Sequence, residues 1–202
     1  MCEYRTKMDE IIQLVMSPHA KYILQHNQDI LFRYIPELLV CRGFNQKNPY
    51  HIYDVLEHTL VSVDMAIENP VVRVALLLHD IGKPMAYYED SDGVRHFKGH
   101  GQVSAEIAQR VLKRLGAEDI FAAKVVTLIK WHDYFIGTNS ASVQKLLIKV
   151  GPETFGLLLS LREADIMAQN PVFEHQRLDK VWNLRCIWHR IEDNPQLFSA
   201  LH

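Results

Sequence analysis

Six His and Asp residues, spread along a chain whose apolar pattern is otherwise helical, constrain the fold more than any other feature. They are His58, the adjacent pair His79-Asp80, His100, His132 and Asp165, with gaps of 21, 20, 32 and 33 residues counted from the nearer member of the pair. Each gap is one or two helical hairpins long. Helical bundles gather metal ligands in this way, one or two per helix, into a common core. Imidazole and carboxylate together suit a divalent transition metal, and an adjacent His-Asp can ligate or bridge two. No alternating strand set of any size occurs, so the expected fold is all-α. The turn formers Glu89-Asp90-Ser91-Asp92-Gly93 close at most a small hairpin between residues 86–88 and 94–97.

Helical phase separates these residues from ordinary core positions. Phe121, Val125, Leu128 and His132 share one face, as do Leu158, Leu161, Asp165 and Ala168, and Val72, Leu76 and His79. An inward carboxylate is expensive unless it is paired or bound to metal. Several helices aiming such groups inward therefore point to a metal centre. His58 lies beside the Leu56-Leu60-Val63-Ile67 stripe, and His100 sits between Gly99 and Gly101, which allow close backbone approach. Lys83, one turn beyond the pair, either reaches a phosphate oxygen as a point charge or satisfies helix carbonyls. Arg162 faces nearly the same way as Asp165 and is a candidate substrate clamp. His96 and His51 are candidates for substrate contact. Asp133, which follows His132, is expected to support a ligand or to be exposed.

The composition is that of a soluble globular protein of 202 residues: 48% hydrophobic, 23% charged, with 22 basic against 24 acidic side chains. This balance excludes a globally basic nucleic-acid surface, although not a local groove. The apolar stretches are too short to span a bilayer, and Met1-Cys2-Glu3-Tyr4-Arg5 lacks an apolar signal core. Cys2, Cys41 and Cys186 form no paired motif. A reduced, cytoplasmic setting is expected. Helices are expected over residues 7–16, 19–40, 53–68, 71–80, 102–115, 118–132, 141–149, 153–168 and 174–192. Asn69-Pro70 marks a start, Gly116 a C-cap and Gly151-Pro152 a break, while Ser140 or Ser142 can cap residues 141–149.

The ordered set His58, His79-Asp80-Ile81-Gly82-Lys83-Pro84 and Asp165 resembles the HD-domain superfamily of metal-dependent phosphohydrolases. The resemblance runs from about His51 to Pro171. It extends to Asn48-Pro49-Tyr50-His51, Phe97-Lys98-Gly99-His100, Arg162-Glu163-Ala164-Asp165 and Ala168-Gln169-Asn170-Pro171. These segments look like the HD domain attached to bacterial tRNA nucleotidyltransferases, the CCA-adding enzymes. No Gly-Ser loop followed by Asp-x-Asp is found, so a free-standing HD protein without CCA addition is expected.

The resemblance implies a single all-α HD-domain helical bundle over 1–202. Its core is residues 48–171, with a helical N-terminal extension over 1–47 and a C-terminal helix over 172–202. It also implies His58, His79, Asp80 and Asp165 around one divalent ion, with His100 and His132 at a second in dinuclear members and Asp80 bridging. Mn, Fe, Co, Ni, Zn or Mg would all suit such a site. The implied activity is hydrolysis of a phosphoester, on a nucleotide or related small substrate, by a metal-activated hydroxide, with Asp80 and Lys83 catalytic. The alternative is a metal-holding regulatory or nucleotide-binding module without turnover. An RNA end is the less favoured substrate, no membrane partner is expected, and a homodimer is compatible with the pattern.

Overall fold

The computed structural model describes residues 6–194; Cys2 and His202 lie outside the described residues. The helices are α1 (Lys7–Met16), α2 (Ala20–His26), α3 (Gln28–Tyr34), α4 (Val55–Met65), α5 (Pro70–Leu78), α6 (His100–Leu115), α7 (Asp119–Trp131), α8 (Ser140–Val150), α9 (Pro152–Met167) and α10 (Pro171–Glu192). Short 3-10 turns cover Pro36–Cys41 and Lys83–Met85. One antiparallel ladder pairs β1 (Tyr88–Glu89) with β2 (Arg95–His96), in the register Tyr88 to His96. The fold is all-α, and the hairpin falls where the turn formers placed it. No described helix is long and apolar enough to cross a membrane.

Side-chain caps set half of the α-helix starts by satisfying amide groups that have no partner in the first turn. Thr6 and Asp9 form a reciprocal capping box on α1. Asp54 accepts from Glu57 N on α4, and Asn69 accepts from Val71 N and Val72 N just before Pro70. Residues 19–40 do not form one helix. Asn27 turns its amide onto Ile23 O at 2.7 Å, competing with the backbone ladder, and Pro36 withdraws a further donor. Helix α8 is capped by Asn139, which accepts from Ser142 N, and not by either serine. Helix α10 begins at Pro171 behind the N-cap Asn170, three residues earlier than its apolar pattern suggests. This is the same Asn-Pro start that opens α5.

Helix α5 is buried on every side from Val72 to Leu78 and packs against α1, α4, α7 and α9. A helix apolar all round belongs at the centre of a bundle. The helices of the N-terminal extension pack onto this core: α1 lies on α5 and α2 lies on α4. Arg73, 7% exposed, fastens this junction. Its guanidinium donates to Val15 O at 2.8 Å, Ala66 O at 3.0 Å and Ile67 O at 3.1 Å, at the ends of α1 and α4.

Arg73→Leu removes the guanidinium from three carbonyls, of which Ile67 O keeps Asn69 N as a donor at 2.8 Å, and is expected to destabilise the fold by about 3 kcal/mol. Urea unfolding measures this, and a loss below about 1 kcal/mol would contradict the pinning role. Cys41 and Cys186 are free thiols, and burial pushes Cys41 up to about 12. Its thiolate is therefore scarce at neutral pH. Iodoacetamide should leave Cys41 unmodified in the native protein and modify it once denaturant is added, as read by peptide mapping.

Candidate metal centre

Four imidazoles reach one point because each is tied by the same atom. His79 is the C-cap of α5, and its Nδ1 lies 2.7 Å from Leu76 O. His132 occupies the same place on α7, with Nδ1 2.6 Å from Ile129 O. His100 opens α6, with Nδ1 2.7 Å from Phe97 O. His58, fully buried in α4, points Nδ1 at Ala168 O, 3.2 Å away past the end of α9. Carbonyls only accept, so each Nδ1 carries the proton and each Nε2 presents a lone pair; the tautomers are assigned on this ground.

The lone pairs converge on two carboxylates. Asp165 Oδ1 lies 3.0 Å from His58 Nε2 and 3.7 Å from His79 Nε2. Asp80 is shared: its Oδ2 lies 3.4 Å from His58 Nε2 and 3.3 Å from His79 Nε2, and its Oδ1 lies 3.2 Å from His100 Nε2 and 3.7 Å from His132 Nε2. Two ligand groups result, His58-His79-Asp165 and His79-Asp80-His132, each with its donor atoms within 4.8 Å of one another. His58 Nε2 and His79 Nε2 are buried without a hydrogen-bond partner, and Asp80 Oδ2 meets only the Lys83 ammonium as a donor, at 2.7 Å. The Nε2 atoms of His100 and His132 face each other at 3.0 Å, a contact that needs a proton or a cation between them. A buried cluster whose imidazole and carboxylate acceptors far outnumber its donors fits divalent cations in both chemistry and position.

The charges agree with this. Burial alone would raise Asp80, yet the His79 imidazole and the Lys83 ammonium hold its carboxyl well below the usual range. Asp165 is likewise lowered against its burial, by His58 and His79. Burial keeps His79 low and neutral, whereas at His132 the Asp80 carboxylate outweighs burial and raises the imidazole.

Lys83, 4% exposed, sits beside this cluster with one acceptor for each of its three protons. They are Asp80 Oδ2 at 2.7 Å, Gln46 Oε1 at 2.7 Å and His51 Nε2 at 3.4 Å. His51 fixes its own tautomer through Asn48 Oδ1, 2.8 Å from Nδ1. Burial, reinforced by the Lys83 charge, pushes His51 down to about 2, so it acts as a neutral acceptor. Lys83 is thus not satisfying the carbonyls of a helix end.

A cleft of ≈ 720 Å³ opens over the cluster and is lined by Asp80, His100, His132, Asp165, His51 and Lys83, among others. Arg162 also lines it, with its guanidinium donating to Trp131 O at 3.0 Å and to Tyr134 O. His96 is not brought to the cleft. The hairpin's own ion pair holds it, with Nε2 2.6 Å from Asp90 Oδ2 and its ring stacked on Tyr88. Asp133 backs His100, with Oδ2 3.2 Å from Nδ1.

Two further contributors escaped the sequence reading. Gln46 carried no periodic signal. Gln169 donates to Asp165 Oδ1 at 2.9 Å, and its spacing of four residues from that aspartate could have found it. Two glycines let the elements close. A Cβ on Gly82 would meet Ser104 N at 2.6 Å, and one on Gly101 would meet Asp133 Oδ1 at 2.9 Å.

Comparison with known proteins bears on this geometry. The family described as the HD domain matches residues 50–166, which contain all six cluster residues. The chain belongs to the HD-domain family. The A-adding tRNA nucleotidyltransferase of Deinococcus radiodurans is 29% identical over 167 residues, 77% of this chain and 38% of that protein. The CC-adding tRNA nucleotidyltransferase of Thermus thermophilus is 33% identical over 132 residues, 61% and 30% of the two chains. The bifunctional uridylyltransferase/uridylyl-removing enzyme of Corynebacterium glutamicum is 27% identical over 196 residues, 88% and 27%. This HD-domain chain thus spans between 27% and 38% of the length of these relatives.

At His132 the Asp80 carboxylate raises the imidazole above its ordinary value, so a proton competes with a cation for its Nε2 and the affinity of this HD domain for a divalent cation should fall as pH drops through about 6.5. The carboxylates stay charged in that range, because their pKa values are held low. Calorimetric titration with manganese at about pH 5.5 and about pH 7.5 measures the change. Equal affinity at both would contradict imidazole ligation.

Proposed function

We propose that this HD domain is a metal-dependent phosphohydrolase that cleaves a phosphoester of a nucleotide or related small molecule. The observation that carries the proposal is the division of Asp80. One of its oxygens faces His58 and His79, the other faces His100 and His132, and every facing atom is an acceptor. In this reading His58, His79, Asp80 and Asp165 hold one cation, and Asp80, His100 and His132 hold a second. Divalent ions so held would supply Lewis acidity toward a phosphoryl oxygen and activate a water molecule.

The remaining work falls to the chain's own side chains. Phosphoryl transfer asks mainly for positioning and for neutralisation of charge. Lys83 lies in the cleft lining with its ammonium aimed by Gln46, and its 3.4 Å contact with His51 is the weakest of the three and the first to yield to a phosphate oxygen. The four backbone carbonyls hold the imidazoles in one orientation, so little reorganisation accompanies the reaction. The nucleotide class draws support from the relatives, whose names describe adding nucleotides to tRNA and adding or removing uridylyl groups.

Turnover of p-nitrophenyl phosphate and bis-p-nitrophenyl phosphate in the presence of manganese tests the reading. Asp80→Asn should abolish turnover and metal binding while the helical circular dichroism persists. Lys83→Met should lower turnover by about 10–100-fold with the metal retained. Tight nucleotide binding by wild-type protein with no product from any phosphoester would replace this reading with a binding module that holds metal without turnover.

A further inference from the structure

The cleft has a second charged wall, which the metal centre does not use. Arg177 and Lys180 line it from α10, three residues apart and therefore on one face of the helix. Among the described residues neither has a carboxylate partner. The Arg177 guanidinium lies over the Tyr50 ring, 5.8 Å from the centroid, a cation–π contact that uses none of its N–H donors. Several other basic side chains are paired, among them Arg185 on the same helix with Glu163, Arg114 with Glu37, Lys124 with Glu153 and Lys47 with Glu89. What sets Arg177 and Lys180 apart from the other unpaired cations is that both line the cleft.

A third cation stands behind this wall. Arg162 lines the same cleft, is held by two backbone carbonyls rather than a carboxylate, and leaves its buried Nε without any partner. Burial lowers it only to about 10, so it keeps its charge at neutral pH. Of the cleft's carboxylates, Asp80 and Asp165 lie in the cluster and Asp133 lies against His100; Asp133 and Asp165 also act on Arg162 through space, and none is paired with Arg177 or Lys180. Although the chain carries a net charge of −2, this wall holds unbalanced positive charge.

We propose that Arg177 and Lys180 form a second phosphate subsite, so that the preferred substrate is a small nucleotide bearing two separate phosphates. One phosphate would meet the Asp80 cluster and the other the α10 wall. The cleft volume of ≈ 720 Å³ suits a ligand of nucleotide size. The assignment of the first phosphate rests on the phosphohydrolase reading; the α10 subsite itself does not.

The test is equilibrium binding to the manganese-loaded protein, comparing adenosine 3′,5′-bisphosphate with adenosine 5′-monophosphate. Charge-assisted bonds to a second phosphate should make the bisphosphate bind about tenfold tighter. In the double variant Arg177→Gln/Lys180→Gln that ratio should collapse toward one, and Arg177→Lys should restore part of it. Arg177 is half-buried and Lys180 exposed, and circular dichroism checks that the variants remain folded. A ratio near one in wild type, or a tenfold ratio that survives in the double variant, overturns the subsite. Absence of p-nitrophenyl phosphate turnover in wild type, with the bisphosphate preference intact and sensitive to the variant, sinks the catalytic reading and supports the subsite.

Discussion

Four imidazole lone pairs and two carboxylates point at each other inside the bundle, and among the described residues the donors that reach them are the Lys83 ammonium at Asp80 and the Gln169 amide at Asp165. Each Nδ1 is spent on a backbone carbonyl, so each Nε2 can only accept. Such a cluster is unfavourable without positive charge, because burying acceptors away from water costs free energy that neighbouring acceptors cannot return. Lys83 supplies one charge at Asp80 Oδ2. The other oxygen of Asp80 and the facing pair His100–His132 have no comparable cation. That imbalance is what makes divalent ions the natural complement of the site.

The same device places the ligands on their helices. His79 and His132 both stand at helix C-caps and bind the carbonyl three residues back, in the last turn where carbonyls run short of amide partners. Each is followed by an aspartate, and only the surroundings separate the two. The turn after His79 presses on α6 through Gly82, which buries Asp80 at 1% exposure. Asp133 stays at the cleft edge, 39% exposed, and reaches His100 from outside the cluster. One dipeptide therefore supplies a central carboxylate and the other a supporting one.

Much of this was legible in the residues. Helical phase brought His79, His132 and Asp165 inward correctly, and the paired glycines around His100 announced a close approach that Gly101 makes against α7. His58 was harder to place because α4 is buried around most of its surface, so its stripe did not distinguish inside from outside. The break at Asn27 depended on a side chain outcompeting the backbone, and the start of α10 on a second Asn-Pro that apolar periodicity hid. Gln46 was invisible for a different reason. Its role depends on a contact across 37 residues with Lys83, which no local pattern encodes.

The division of labour follows from how each part is held. The floor of the cleft is built from helix ends, with every imidazole locked by a carbonyl and every approach permitted by a glycine or a tight turn. Its geometry changes little without unfolding part of the core, since those ends belong to α5 and to helices packed on it. The α10 wall carries no cluster residue. Its long basic side chains stand on a helix anchored at its start by Asn170, which donates to Pro49 O at 2.9 Å and, through its backbone, to Tyr50 O at 2.8 Å. The loop that fixes His51 beside Lys83 is therefore the loop that fixes the start of α10. A change in that loop acts on floor and wall together, whereas a change on the face of α10 alters the wall and leaves the floor as it is.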